Sequence, residues 1–199
     1  MSLDDLVAAA SERLSERRLE HVRAVAQTAA EIARCGEWPV DFETRVVRAS
    51  WYHDAFKNEA DSELHAWIVA GGEEPDPWST AFAPGLLHAQ AAAVWAAGRG
   101  ERDAELVSAV RHHSTGHPAW SDLGLMLFVA DFTEPTRQHG QSIDLAGLRE
   151  SAARGPEALR CTAREILAIR LSHLLESGRL VHPLGLETWN AWTGEARDE

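Results

Sequence analysis

The chain has 199 residues, 45% of them hydrophobic, enough for one folded domain with a sizeable core. A formal charge of −12 at pH 7 argues against non-specific binding to nucleic acid or an anionic membrane. No apolar run approaches the roughly 20 residues needed to cross a bilayer. The N-terminus, with Asp4 and Asp5 and no basic stretch, does not read as a signal peptide, so a cytoplasmic protein is expected. Cys35 and Cys161 belong to no closely spaced cysteine motif and read as free thiols.

In chain order, apolar residues recur at helical spacing and runs of period two are absent. The pattern predicts helices over 3–15, 17–35, 41–54, 62–70, 84–98, 103–113, 121–131, 144–153, 157–176 and 184–192. Breakers separate them: GEWP at 36–39, GGEEPDP at 71–77, GRGERD at 98–103, STGHP at 114–118, EPTRQHG at 134–140 and SGRLVHPLG at 177–185. Asp103 and Ser121 stand where helix caps belong. GGEEPDPWST reads as the most mobile loop. The expected fold is all-α, one compact domain over 1–199 with nine or ten helices.

Several of the ten histidines stand where apolar residues should. His21 shares a helical face with Val25, Thr28 and Ile32. His53 and Asp54 close the apolar helix before them, and Asp131 closes the run Leu125 to Ala130. His88 lies in GLLHAQAAAVW, and either His112 or His113 ends the helix carrying Val107 and Val110. A buried carboxylate is costly unless neutralised, and a metal ion is one remedy. Taken singly, each group reads as a satisfied core polar residue. Five separate segments with the same feature point to one shared metal site. His65 falls on a solvated face, and His117, His139 and His173 have weaker claims. His182, beside Pro183, lies in a loop that could reach a ligand.

The order H…HD…H…HH…D resembles the HD-domain phosphohydrolases. The segments RRLEHVRAVAQTAAEIA, HDAFK, LLHA, HHSTGHPAWSDLGLMLFVADFTEPTR and GRLVHPLGLETWN resemble the bacterial YqeK-type branch, over about residues 17 to 192. That branch contains symmetrical diadenosine tetraphosphate hydrolases. The resemblance implies an all-α fold with iron ligands at His21, His53, Asp54 and Asp131. It implies nucleotide contacts at Arg18, Lys57, His88, His113, Ser114 and Arg137, and a C-terminal segment, Leu180, Val181, His182 and Pro183, that closes over the nucleotide. Trp51 and Tyr52 depart from the smaller aliphatic pair usual before the HD, and the long acidic 71–85 region bears on substrate preference.

Hydrolysis of a phosphoanhydride needs a nucleophilic water and charge neutralisation, which a divalent ion supplies. Imidazole and carboxylate ligands suit iron, manganese, cobalt or nickel. Asp54 is the expected bridging or water-orienting ligand, and with His88 and His113 it could hold a second metal. Lys57 is expected on nearly the same helix face as Asp54, either paired with it or clamping a phosphate. Arg137 suits bidentate phosphate recognition, and Arg18 sits one turn before His21. His88 and His113 are candidates to donate a proton to the leaving phosphate. The eight tryptophans read mainly as packing, with Trp120 a candidate to stack on adenine. The expected partner is a small nucleotide, and a homodimer is possible. Another HD-type nucleotidase or phosphodiesterase, or a metal-bound nucleotide sensor, stands as the alternative.

Overall fold

The computed structural model describes residues 1–137 and 143–195; His139 lies outside them. Among the described residues the secondary structure is all helical: α1 Leu3–Ser11, α2 Glu16–Cys35, α3 Phe42–His53, α4 Asp61–Ala70, α5 Pro77–Phe82, α6 Leu87–Gly98, α7 Ala104–His112, α8 Asp122–Thr133, α9 Leu145–Ala152, α10 Pro156–Glu176 and α11 Pro183–Glu195. A single 3-10 turn, Pro84–Leu86, leads into α6.

α8 is the axis of the fold. Every residue from Leu123 to Thr133 is buried, and α2, α3, α7, α9 and α10 all pack against it. A helix apolar on all sides can only be satisfied by such a surround. Its close approach to the Trp120 loop uses Gly124, where an added Cβ would lie 2.5 Å from the indole. The α2 and α3 pair forms the second main contact, with Val22, Val25, Ala29, Val46 and Ala49 buried.

The chain departs from the expected elements at places that matter for the site. α1 stops at Ser11 and the chain turns before α2. α3 ends at His53, and Asp54 adopts φ −108° and ψ 13°, outside the helix. Lys57 is therefore placed by a turn, its amide donating to the Asp54 carbonyl at 2.9 Å, rather than by a continuing helix face. α5 begins within the 71–80 stretch read as a loop, so among the described residues the helix count exceeds the nine or ten expected. Asp76 caps α5 by accepting from the Ser79 amide at 2.6 Å, and Pro77 occupies its first turn. The preceding Glu73 is held by two bonds of 2.7 Å from Arg111. Asp103 caps α7 as expected, whereas Ser121 stands at the start of α8 without a side-chain cap bond.

Candidate metal centre

Four segments bring imidazoles to one point, each aimed by the same device. His53, His88 and His113 each donate Nδ1–H to the backbone carbonyl three residues earlier: Ser50 at 2.6 Å, Gly85 at 2.6 Å and Val110 at 2.8 Å. His21, in the second turn of α2, directs Nδ1 to Glu134 Oε1 at 3.0 Å. With Nδ1 committed to an acceptor, each Nε2 is turned inward, the orientation that metal-binding histidines require.

The inward atoms form two adjoining groups about Asp54. In the first, His21 Nε2 lies 3.2 Å from Asp131 Oδ1 and 3.6 Å from Asp54 Oδ2. His53 Nε2 lies 3.7 Å and 3.8 Å from the same two oxygens. In the second, His88 Nε2 and His113 Nε2 lie 3.2 Å and 3.4 Å from Asp54 Oδ1, and 3.1 Å from each other. All six residues are buried.

Two observations bear on whether a cation fits. The Nε2 atoms of His21 and His53 are buried and face the two carboxylates without a well-aligned hydrogen bond, an expensive arrangement for buried nitrogens. In the second group, two imidazole nitrogens and a carboxylate oxygen face one another, a set of acceptors that needs positive charge between them. Lys57 Nζ, 3.2 Å from His88 Nε2, supplies part of it. The sets His21, His53, Asp131 and His53, Asp54, His113 each have ligand atoms close enough together to hold a metal ion. Nitrogen and carboxylate donors without thiolate fit a divalent transition ion.

The protonation states point the same way. Burial opposes the charge on Asp54, but the adjacent His53 ring and the His113 and His88 contacts hold its carboxyl well below the usual range. Asp131 is likewise held well below the usual range, against burial, by Arg137, His21 and His53. Burial alone would lower the His21 pKa; Asp131 and Glu134 outweigh it and raise it to about 9. The acids thus demand positive charge at His21 Nε2, which a coordinated divalent ion would satisfy with release of the proton. Burial pushes His113 down to about 4 and His88 below its ordinary value, so both rings are neutral near pH 7.

The remaining expected residues surround this centre. Arg18 donates to Asp54 Oδ2 at 2.8 Å, and Arg137 to Asp131 Oδ1 at 2.7 Å. Lys57 does not pair with Asp54; it lies over the His88 ring. It remains reachable from solvent although protein crowds it, and that crowding lowers its pKa. Ser114 Oγ lies 3.2 Å from His113 Nε2. Leu180, Val181 and His182 line a cavity of about 790 Å³ that also carries Ser114 and Arg137, whereas Pro183 is exposed at the start of α11. His182 Nε2 contacts Asp76 Oδ2 at 3.2 Å. His65 and His173 are exposed, and His112 and His117 pair with ring centroids 4.7 Å apart. Trp120 is buried against Phe128 and Trp192, so it packs the core and does not offer a face to adenine. Cys35 and Cys161 are free and exposed.

Two participants escaped the sequence reading. Glu134, 0% exposed, orients His21 and is itself fixed by the Thr136 amide at 2.6 Å and hydroxyl at 2.8 Å. Arg170 donates to the Ser114 carbonyl at 2.9 Å with its guanidinium 5.0 Å from the Phe128 ring centroid. The signal for Glu134 was an acid three residues beyond Asp131; that for Arg170 was a cation one turn after the buried Ile166 and Leu167.

No family model matches the chain. It is 26% identical over 178 residues to the symmetrical bis(5'-nucleosyl)-tetraphosphatase of Halalkalibacterium halodurans, covering 89% of each chain. It is 28% identical to the Bacillus subtilis protein of that name, over 69% of this chain and 72% of the relative. The Staphylococcus aureus counterpart is 26% identical over 69% of each. The crystal structure of a Clostridium acetobutylicum protein described as a predicted HD superfamily hydrolase involved in NAD metabolism superposes with a TM-score of 0.85 at 22% identity over 98% of each chain. The chain therefore has the fold of an HD-superfamily hydrolase and is similar in sequence, over most of its length, to the symmetrical bis(5'-nucleosyl)-tetraphosphatases of the YqeK type.

Proposed function

We propose that this chain, acting as one HD domain, is a metal-dependent hydrolase that cleaves diadenosine tetraphosphate symmetrically to two ADP. The observation that carries the reading is the pair of Nε2 atoms, His21 and His53, facing Asp54 and Asp131 in a buried centre. These four residues would hold the ion. Iron is our choice, with manganese, cobalt or nickel as alternatives for the same donors. When bound, the ion supplies Lewis acidity and an acidified water. Asp54 has one oxygen toward each group of histidines, and a second ion, if bound, would be held by Asp54, His88 and His113.

Water adds across the central P–O–P bridge. One inner phosphorus gains the water oxygen, and the bridging oxygen leaves with the other ADP. Neutral His88 and His113 suit ligation or acceptance of the water proton; donation to the leaving oxygen requires a proton at Nε2, which an incoming polyphosphate favours by opposing their low pKa. Lys57, Arg18 and Arg137 stand at the rim and are assigned to the phosphate oxygens, where charge develops. Both arginines are ion-paired to metal-site aspartates, so phosphate binding and ion binding exchange partners within one network. Ser114 and the segment Leu180 to Pro183 are assigned to the nucleotide. We place the enzyme in the cytoplasm, acting on a free nucleotide.

The test is product analysis. Purified protein loaded with iron or manganese should convert diadenosine tetraphosphate to ADP alone. AMP and ATP as products would contradict the symmetrical assignment, and metal analysis of the protein as isolated identifies the ion.

A further inference from the structure

The cavity of about 790 Å³ has a smaller neighbour of about 340 Å³, and Leu86, Ser114, Thr115 and His182 line both. Ser114 is the contact between this shared wall and the centre, its hydroxyl 3.2 Å from His113 Nε2 and 3.5 Å from His88 Nε2. Both volumes fall in the range of small-molecule sites. The two spaces thus share a wall that touches the centre through Ser114.

Their linings have opposite character. Among the described residues the larger space carries Arg137, Arg170 and Arg179 and no carboxylate in its lining, Arg137 being paired with Asp131 as Arg111 is with Glu73. Among these, Arg170 holds a charge that burial disfavours, and no carboxylate among the described residues bonds to it. The smaller space carries Glu74 and Asp76, and its one arginine, Arg111, is already bound by Glu73. Polyphosphate is favoured in the first and repelled from the second. An uncharged base suits the second: Leu87, Ala89 and Leu184 offer apolar surface, and a carboxylate accepts from an exocyclic amine.

We propose that the smaller cavity receives the second nucleoside of a dinucleoside polyphosphate, while the larger receives the first nucleoside with its phosphates. This rests on the hydrolase reading above. A symmetrical substrate is then held by two unlike subsites, and ADP by itself occupies the larger one.

Leu184 lines the smaller cavity and not the larger, and is only half-buried. Leu184→Trp fills that space, and Leu184→Phe fills it less, in case the larger ring impairs folding. Calorimetric titration of the metal-loaded proteins with diadenosine tetraphosphate, under conditions too brief or too cold for turnover, should show at least tenfold weaker binding in the Trp variant. Binding of ADP should change less than threefold. In steady state, KM for the dinucleotide should rise by a similar factor, while kcat/KM for adenosine 5'-tetraphosphate, which has one nucleoside, falls less than threefold. Equal losses for both ligands, or none for either, overturn the proposal. If the wild type binds the dinucleotide more tightly than ADP yet forms no ADP from it, the hydrolase reading fails and the two-subsite proposal stands.

Discussion

Glu134→Gln isolates the contribution of one carboxylate that never touches the reacting centre. Glu134 accepts from His21 Nδ1 at 3.0 Å in a fully buried setting, and burial does not prevent its pKa from lying below the ordinary value because His21 and Thr136 both favour the charge. Glutamine keeps the shape and a carbonyl acceptor for His21 and the Thr136 hydroxyl, gives up the acceptor of the Thr136 amide, which uses the other carboxylate oxygen, and removes the charge that makes the His21 ring a stronger donor of electrons at Nε2. Loss of such an outer carboxylate typically weakens metal affinity about 10–100-fold, or roughly 1.4–2.8 kcal/mol. The assay is competition for Mn²⁺ against a chelator of known affinity, followed by melting of the metal-free protein. The expected result is metal affinity down by that factor. Metal affinity within twofold of wild type, in a variant of normal melting temperature, would falsify the role assigned to Glu134.

Three further outcomes are expected. Arg170→Met removes a buried cation together with its bond to the Ser114 carbonyl; kcat/KM should fall about tenfold, a loss within the range for a charged hydrogen bond, while thermal melting shows no loss of stability because burying the charge was itself costly. Gly124→Ala should destabilise the fold by roughly 1–3 kcal/mol in urea titration despite better helix propensity, since its methyl group meets the Trp120 ring. In the acid range, Glu101 and Asp103 have lowered pKa values, burial being outweighed by Arg48 and Arg45 respectively. Depressed carboxylates stabilise the fold above their unfolded pKa and lose that contribution as pH falls through the folded one. Glu101→Gln should thus cost about 1 kcal/mol at pH 7, with the difference from wild type shrinking as pH falls below the range of an ordinary glutamate in pH-dependent melts.

What the sequence made legible follows its periodicity. α8 was visible because eleven consecutive residues from Leu123 to Thr133 are buried and nearly all are apolar, and the inward histidines stood out because each interrupts an apolar face. α5 was masked by the Gly-Gly-Glu-Glu-Pro run before it, although Asp76 followed by Pro77 is a capping and first-turn signal. Lys57 was placed on a helix that in fact ends at His53, since nothing periodic marks the change of backbone at Asp54. The bond from Arg170 to Ser114 spans 56 residues, and the one from His21 to Glu134 spans 113. Contacts of that kind depend on how helices are assembled, and local spacing carries no record of them.

Because α8 is enclosed on every side and delivers Asp131 from its last turn, there is no position along it where sequence drift stays local. A methyl group gained or lost near Leu127 tilts a rod whose tip is the carboxylate. Variants selected for tolerance to heat in this interior should therefore be screened for the ion they retain, since weakened loading would be the first sign of a misplaced axis.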